Sequence, residues 1–153
     1  MQTSRPLIRI SVKAQRLDLT SGDNLLASYP ISTSRYGLGS EEGSMKTPVG
    51  HFTVGEKIGA GLPSGTIFRD RIPLTAEEAP AASDDLVLSR ILWLEGSEEH
   101  NANTRDRFIY IHGTNHEETI GCPASHGCIR MKNVDLIALF DQVPLGTEVV
   151  IAA

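Results

Sequence analysis

The 153-residue sequence predicts a mainly β fold, a curved sheet or sandwich, with one amphipathic helix late in the chain. Three observations predict it. Short apolar stretches alternating with polar residues recur along the chain, the period of strands with one buried face. Clusters of turn-forming residues separate them, drawn from 14 Gly and 8 Pro among others. One window only, Asn133 to Val143, repeats its apolar residues at helical spacing. The length suits a single hydrophobic core, so residues 1–153 are expected to form one domain.

Taken in order, Ile8, Ile10 and Val12 alternate with Arg9, Ser11 and Lys13, which predicts a first strand, and Leu17 and Leu19 resume the spacing beyond Ala14 to Arg16. Ser21-Gly22-Asp23-Asn24 tolerates positive φ and supplies a tight turn into a third strand from about Leu25 to Ser32, an opening β-meander. Tyr36 to Gly50, with Gly37, Gly39 and Gly43, reads as an exposed loop, and Phe52 to Val54 as a strand. From Gly55 to Arg105, glycines and prolines break every pattern except Leu86 to Leu94. That run suits a buried strand or a short helix. Glu95 to Arg107, charged and Asn-rich, reads as a surface loop. Phe108 to Ile111 is a strand by β-propensity and delivers His112 where Gly113 ends the run. After a loop from Gly113 to Gly127 comes the helix from Asn133 to about Val143, with Asn133 as N-cap, Asp135 in the first turn, and Leu136, Leu139, Phe140 and Val143 as its apolar stripe. Pro144 and Gly146 stop it, and Thr147 to Ile151 is a closing strand.

Composition excludes several classes. At 40% hydrophobic and 22% charged, the chain is neither disordered nor collagen-like nor a coiled coil. Fourteen Lys and Arg against nineteen Asp and Glu leave a net charge of −5, so no nucleic-acid partner is expected. No apolar run approaches the roughly 18 residues of a membrane span, and Met1 to Leu7 has no apolar signal core, so these residues by themselves point to no export. Two cysteines, Cys122 and Cys128, are too few for a disulfide framework and are expected to be reactive rather than structural.

Both cysteines and three of the five histidines fall between His112 and Cys128, the others being His116, Cys122 and His126. Three readings compete. In the first, a histidine at a strand's end takes the proton of a thiol whose free pKa is about 8.5, and backbone N–H groups at the cysteine stabilise the oxyanion. His112 and Cys128 fit those places, with Gly127 allowing close approach to the backbone. In the second, the cluster binds zinc, although the spacing lacks the paired two-residue knuckles of structural sites. In the third, the side chains merely pack.

The segment Ser125-His126-Gly127-Cys128-Ile129-Arg130-Met131, preceded by Ile111-His112-Gly113-Thr114 and Ile120-Gly121, resembles the active-site signature of the L,D-transpeptidase catalytic domain, the YkuD-type family. The likeness continues in Tyr29 to Ser34, in Lys46-Thr47-Pro48-Val49-Gly50-His51-Phe52 and in Leu145 to Ile151; Gly55 to Arg105 matches poorly. A second thiol at Cys122 departs from the family's pattern.

This resemblance implies Cys128 as acylated nucleophile, His112 as its proton acceptor and the Gly113 carbonyl as the group orienting the imidazole. It implies substrate-side roles for Arg130, as a carboxylate anchor or structural clamp, for His126 in shaping the site, for Ser125 in bracing the loop and for Gly127. His116 is expected to face solvent. The implied reaction is acyl transfer on a peptidoglycan tetrapeptide stem, releasing terminal D-alanine, with an amine acceptor for L,D-transpeptidation or water for L,D-carboxypeptidation. No cofactor or metal is implied, a monomer is expected, and the implied location is the periplasm or cell envelope. Cytoplasmic muropeptides, a non-catalytic peptidoglycan-binding module and a zinc-stabilised module remain alternatives. Cys122 is either a tolerated small residue before Pro123 or the partner of Cys128 in a redox lock.

Overall fold

A computed structural model describes residues 5–80 and 85–153. The chain forms strands β1 (Pro6–Ser11), β2 (Arg16–Ser21), β3 (Asn24–Ser32), β4 (Gly50–Ile58), β5 (Ile67–Arg69), β6 (Ile72–Pro73), β7 (Val87–Gly96), β8 (Tyr110–Gly113), β9 (Ile129–Met131) and β10 (Glu148–Ala152), with one helix, α1 (Asn133–Gln142). The three opening strands pair antiparallel in sequence order, the expected meander. The sheet runs β4-β10-β1-β2-β3-β9-β8-β7, and β4 also pairs with β7. That pairing closes the sheet into a ring, a barrel-like sandwich that removes the open edges. The β5–β6 hairpin stays outside the ring, attached to β7, and turns through Asp70 and Arg71 at φ 50° and 67°.

Alternation along each strand sends one row of side chains inward. Ile8, Ile10, Leu17, Leu19, Phe52, Leu92, Leu94, Ile111, Ile129, Met131, Val149 and Ile151 are buried there in one cluster. Leu136, Leu139, Phe140 and Val143 of α1 and its C-terminal end join it. Full burial of such side chains is worth about 1.5–3 kcal/mol each, which makes this cluster the main source of cohesion. A smaller cluster lies on the opposite face, where Ile91 and Tyr110 meet Phe68 of the hairpin and pack against Trp93 and Cys128.

Several expectations are corrected. Of the run from Leu86 to Leu94, Val87 onward forms a strand, β7, the first of the two expected alternatives, apolar on both faces because the barrel core covers one and the hairpin cluster covers the other. Double burial erases the alternation that would have distinguished strand from helix. Phe108 is not in β8 and sits at φ 57° with its side chain exposed, while Gly113 is the last residue of the strand, as expected. The loop after β7 is not simply surface, since Asn101 and Thr104 are fully buried. Asn101 donates through Nδ2 to the carbonyls of Val49 and His51 and accepts the Glu98 amide, so its polarity serves buried backbone. The loop from Tyr36 to Gly50 likewise buries Thr47 completely. Asn133 is the first residue of α1 and Lys132 the N-cap; the Asn133 amide is met by the Glu117 carboxylate at 2.7 Å. Capping from a neighbouring loop frees the Asn133 side chain for other partners.

Candidate active site

Parallel pairing of β8 with β9 puts Ile111 beside Ile129 and His112 beside Arg130. Because Ile111 and Ile129 face the barrel core, the alternating residues Tyr110 and His112 on β8, and Arg130 on β9, point to the other face, where Cys128, immediately before β9, packs against the Tyr110 cluster.

The loop entering β9 is tied down atom by atom. Ser125 Oγ donates to the Cys128 carbonyl at 2.6 Å and accepts the Gly127 amide at 3.3 Å. Thr47 Oγ1 donates to the Gly127 carbonyl at 3.0 Å while accepting the Ser34 amide at 2.9 Å. Gly127 sits at φ 123°, a conformation that strains any residue with a Cβ. Amides of Ala124 and Ser125 both donate to Thr33 at 2.9 Å, which anchors the loop to the end of β3.

The Cys128 thiol donates to the Phe108 carbonyl at 3.3 Å and accepts the Tyr110 amide at 3.4 Å. Burial pushes this thiol up to about 11, against the smaller opposing pull of the Tyr110 amide. His112 is buried, and its Nδ1 lies 2.6 Å from the Gly113 carbonyl. A carbonyl only accepts, so Nδ1 carries the proton and Nε2 is left as the basic nitrogen. Burial also holds His112 below its ordinary pKa, with the Gly113 carbonyl working in the opposite direction. Among the described residues no hydrogen bond joins the thiol to the imidazole, and burial acts against the charged form of both.

Arg130 is 2% exposed and is met by Asp85 at 2.6 Å. The same Asp85 oxygen lies 3.1 Å from His126 Nδ1. Burial raises Asp85, but Arg130 and then His126 outweigh it and hold the carboxyl below its ordinary value. These groups, with Arg35 and His116, line a cleft of about 500 Å³. On the other side of Phe108 a hollow of about 240 Å³ is lined by Phe68, Arg71 and Tyr110, with Arg71 donating to the Tyr110 hydroxyl at 3.0 Å and stacked over Trp93 and Phe108.

The remaining candidates lie apart from the thiol. His116 is largely covered, its side chain 27% exposed and facing Glu118 at 3.5 Å. Cys122 is exposed and free; its neighbour Gly121 donates to the Ile31 carbonyl on the β3 side, whereas the Cys128 thiol turns toward β8. Among the described residues no group of three or more His, Cys, Asp or Glu side chains is arranged to hold a metal ion. Asp85 and Phe108 were missed in the sequence because neither stands in a periodic pattern; Thr47 was visible only as part of the Lys46-Thr47-Pro48 segment.

Comparison with known proteins bears on the family and the fold. The family model described as L,D-transpeptidase catalytic domain matches residues 5–151. The putative L,D-transpeptidase YkuD of Bacillus subtilis is 31% identical over 144 residues, covering 94% of this chain and 64% of that protein. The probable L,D-transpeptidase YcfS of Escherichia coli is 33% identical over 133 residues, covering 84% of this chain and 38% of that protein. Among solved structures, an L,D-transpeptidase from Mycobacterium smegmatis superposes with a TM-score of 0.63 at 16% identity, covering 98% of this chain and 59% of the other. One from Xylanimonas cellulosilytica gives 0.64 at 20%, covering 99% and 62%. The structural likeness is one of fold, and the chain spans less than two thirds of the length of each of these proteins. With the family model matched from end to end of the barrel and relatives above 30% identity, the chain belongs to the L,D-transpeptidase catalytic domain family.

Proposed function

We propose that the chain is a cysteine-dependent acyl transferase acting on peptidoglycan stem tetrapeptides, with Cys128 as nucleophile and His112 as general base. One observation supports the reading: Cys128 immediately precedes β9, whose Arg130 lies beside His112, and the His112 Nδ1 proton is committed to Gly113, which leaves Nε2 as the nitrogen able to accept. The Cys128 thiol proton passes to Nε2 as sulfur attacks the carbonyl between the stem's third residue, a diamino acid, and D-alanine. The tetrahedral intermediate collapses, the C–N bond breaks, and the imidazolium returns the proton to the departing D-alanine amine. A second amine attacks the thioester, its proton goes through His112, and the thiol is regenerated. Water in the amine's place gives the carboxypeptidase outcome from the same intermediate.

In this scheme Ser125 and Gly127 set the sulfur's position, and His126 and Arg130 form the substrate-side wall together with Asp85. No metal or cofactor enters any step. Such a substrate places the working enzyme at the cell envelope. The test is intact-mass analysis after incubation with a carbapenem, followed by D-alanine release from a tetrapeptide. A single adduct on Cys128, absent in Cys128→Ala and slowed in His112→Ala, is the expected result. An unmodified Cys128, or an adduct on Cys122, would overturn it.

A further inference from the structure

We propose that Asn133, braced by Ser89, is a positioning residue for His112. The inference rests on the reading of His112 as the general base. The imidazole is oriented by the carbonyl of its own successor, Gly113, so whatever holds the Gly113 peptide holds the ring. On the β9 side the ladder there is regular, with His112 beside Arg130 and Gly113 beside Met131. On the β7 side it is interrupted: the register shifts between Leu88 and Ile91, opposite the His112–Gly113 peptide, and Ser89 and Arg90 leave the ladder.

The Asn133 side chain fills that gap. A Cβ at Gly113 would collide with Asn133 Oδ1 and with the Leu88 carbonyl, so glycine is what lets the asparagine lie against the strand. Asn133 Nδ2 donates to the Thr114 carbonyl at 2.9 Å and to the Glu117 carboxylate at 2.9 Å. Its Oδ1 accepts the Ser89 hydroxyl at 2.6 Å, and Ser89 Oγ in turn accepts the Gly65 amide at 2.9 Å. Ser89 is fully buried at φ 73°, a conformation that persists only where the surroundings over-determine it. A chain of hydrogen bonds therefore runs from the loop before β5 through Ser89 and Asn133 to the Thr114 carbonyl, one residue beyond the Gly113 carbonyl that meets the imidazole, while Asn133 Oδ1 lies against Gly113 itself. Residues Gly65 and Ser89 come from the middle of the sequence, which matches the signature motif nowhere.

The test compares Asn133→Ala and Ser89→Gly with the wild type in two measurements. Imidazole nitrogen NMR reads the His112 tautomer, and the rate of carbapenem acylation reads the thiol. Both substitutions are expected to convert His112 from an Nδ1–H tautomer to a mixture and to slow acylation at least about tenfold, as small misplacements of reacting groups do. A purely structural role would shift thermal stability and leave the tautomer alone. Ser89→Gly decides if Asn133→Ala does not fold, because glycine is at home at this φ. Wild-type His112 signals in the folded variants, with acylation within about twofold of wild type, would overturn the proposal. Tautomer loss in the variants without any carbapenem adduct on wild-type Cys128 would instead sink the acyl-transfer reading and leave the positioning role standing.

Discussion

The imidazole of His112 donates from Nδ1 to the carbonyl of Gly113, the next residue in the chain, at 2.6 Å. A backbone carbonyl carries no net charge, so it sets the tautomer without adding the electrostatic pull that a carboxylate partner would exert on an imidazolium. Burial acts against the charged form of both His112 and Cys128.

Thiol reactivity should follow from that. In a Cys122→Ser background, iodoacetamide alkylation of Cys128 is expected to be slow at pH 7 and to keep rising through pH 10, since the thiol is pushed up to about 11. A plateau reached below pH 7 would indicate a preformed thiolate–imidazolium pair. Stability responds at the other end. The unfolded chain takes up a proton on His112 near 6.5 while the folded chain resists it, so urea midpoints measured below pH 6.5 are expected to fall.

Asp85 is the counter-ion of a buried guanidinium. Asp85→Asn leaves Arg130 without its partner, and because Asp85 is itself partly exposed the expected cost is about 1–3 kcal/mol rather than the full value of a buried pair. Denaturant unfolding reads it directly. Asp85→Asn combined with Arg130→Met is expected to recover part of the loss, which separates an uncompensated charge from lost packing.

Thr47 tests whether the β3–β4 loop holds the cysteine loop. Thr47→Val keeps the shape but leaves the Gly127 carbonyl and the Ser34 amide unpaired, an expected loss of about 1–3 kcal/mol accompanied by slower acylation of Cys128. Thr47→Ser retains both bonds and is expected to behave as wild type. Equal behaviour of the two variants would dismiss the hydroxyl's role.

Cys122 is expected to be dispensable. Cys122→Ser should acylate at the wild-type rate, and two free thiols should be titrated in the native protein with or without reductant. A reductant-dependent second thiol would restore the redox lock, despite the attachment of the two cysteines to different neighbouring strands.

The sequence by itself determined the meander, the closing strand and the helix. Each of these follows from a local period, two residues for a strand and 3.6 for a helix, and a local period needs no knowledge of neighbours. The poorly legible stretch from Gly55 to Arg105 was settled only by tertiary structure. β7 is covered on both faces by the barrel core and by the hairpin, so its pattern carries no alternation. Closure of the ring through β4 and β7 depends on pairing between residues nearly forty positions apart. The same holds at the site. Asp85 on Arg130, Thr47 on Gly127 and Ser89 on Asn133 are bonds between residues 44 to 80 positions apart. Such partners are chosen by the need of buried polar groups to be satisfied, a requirement that exists only once folding has removed them from water.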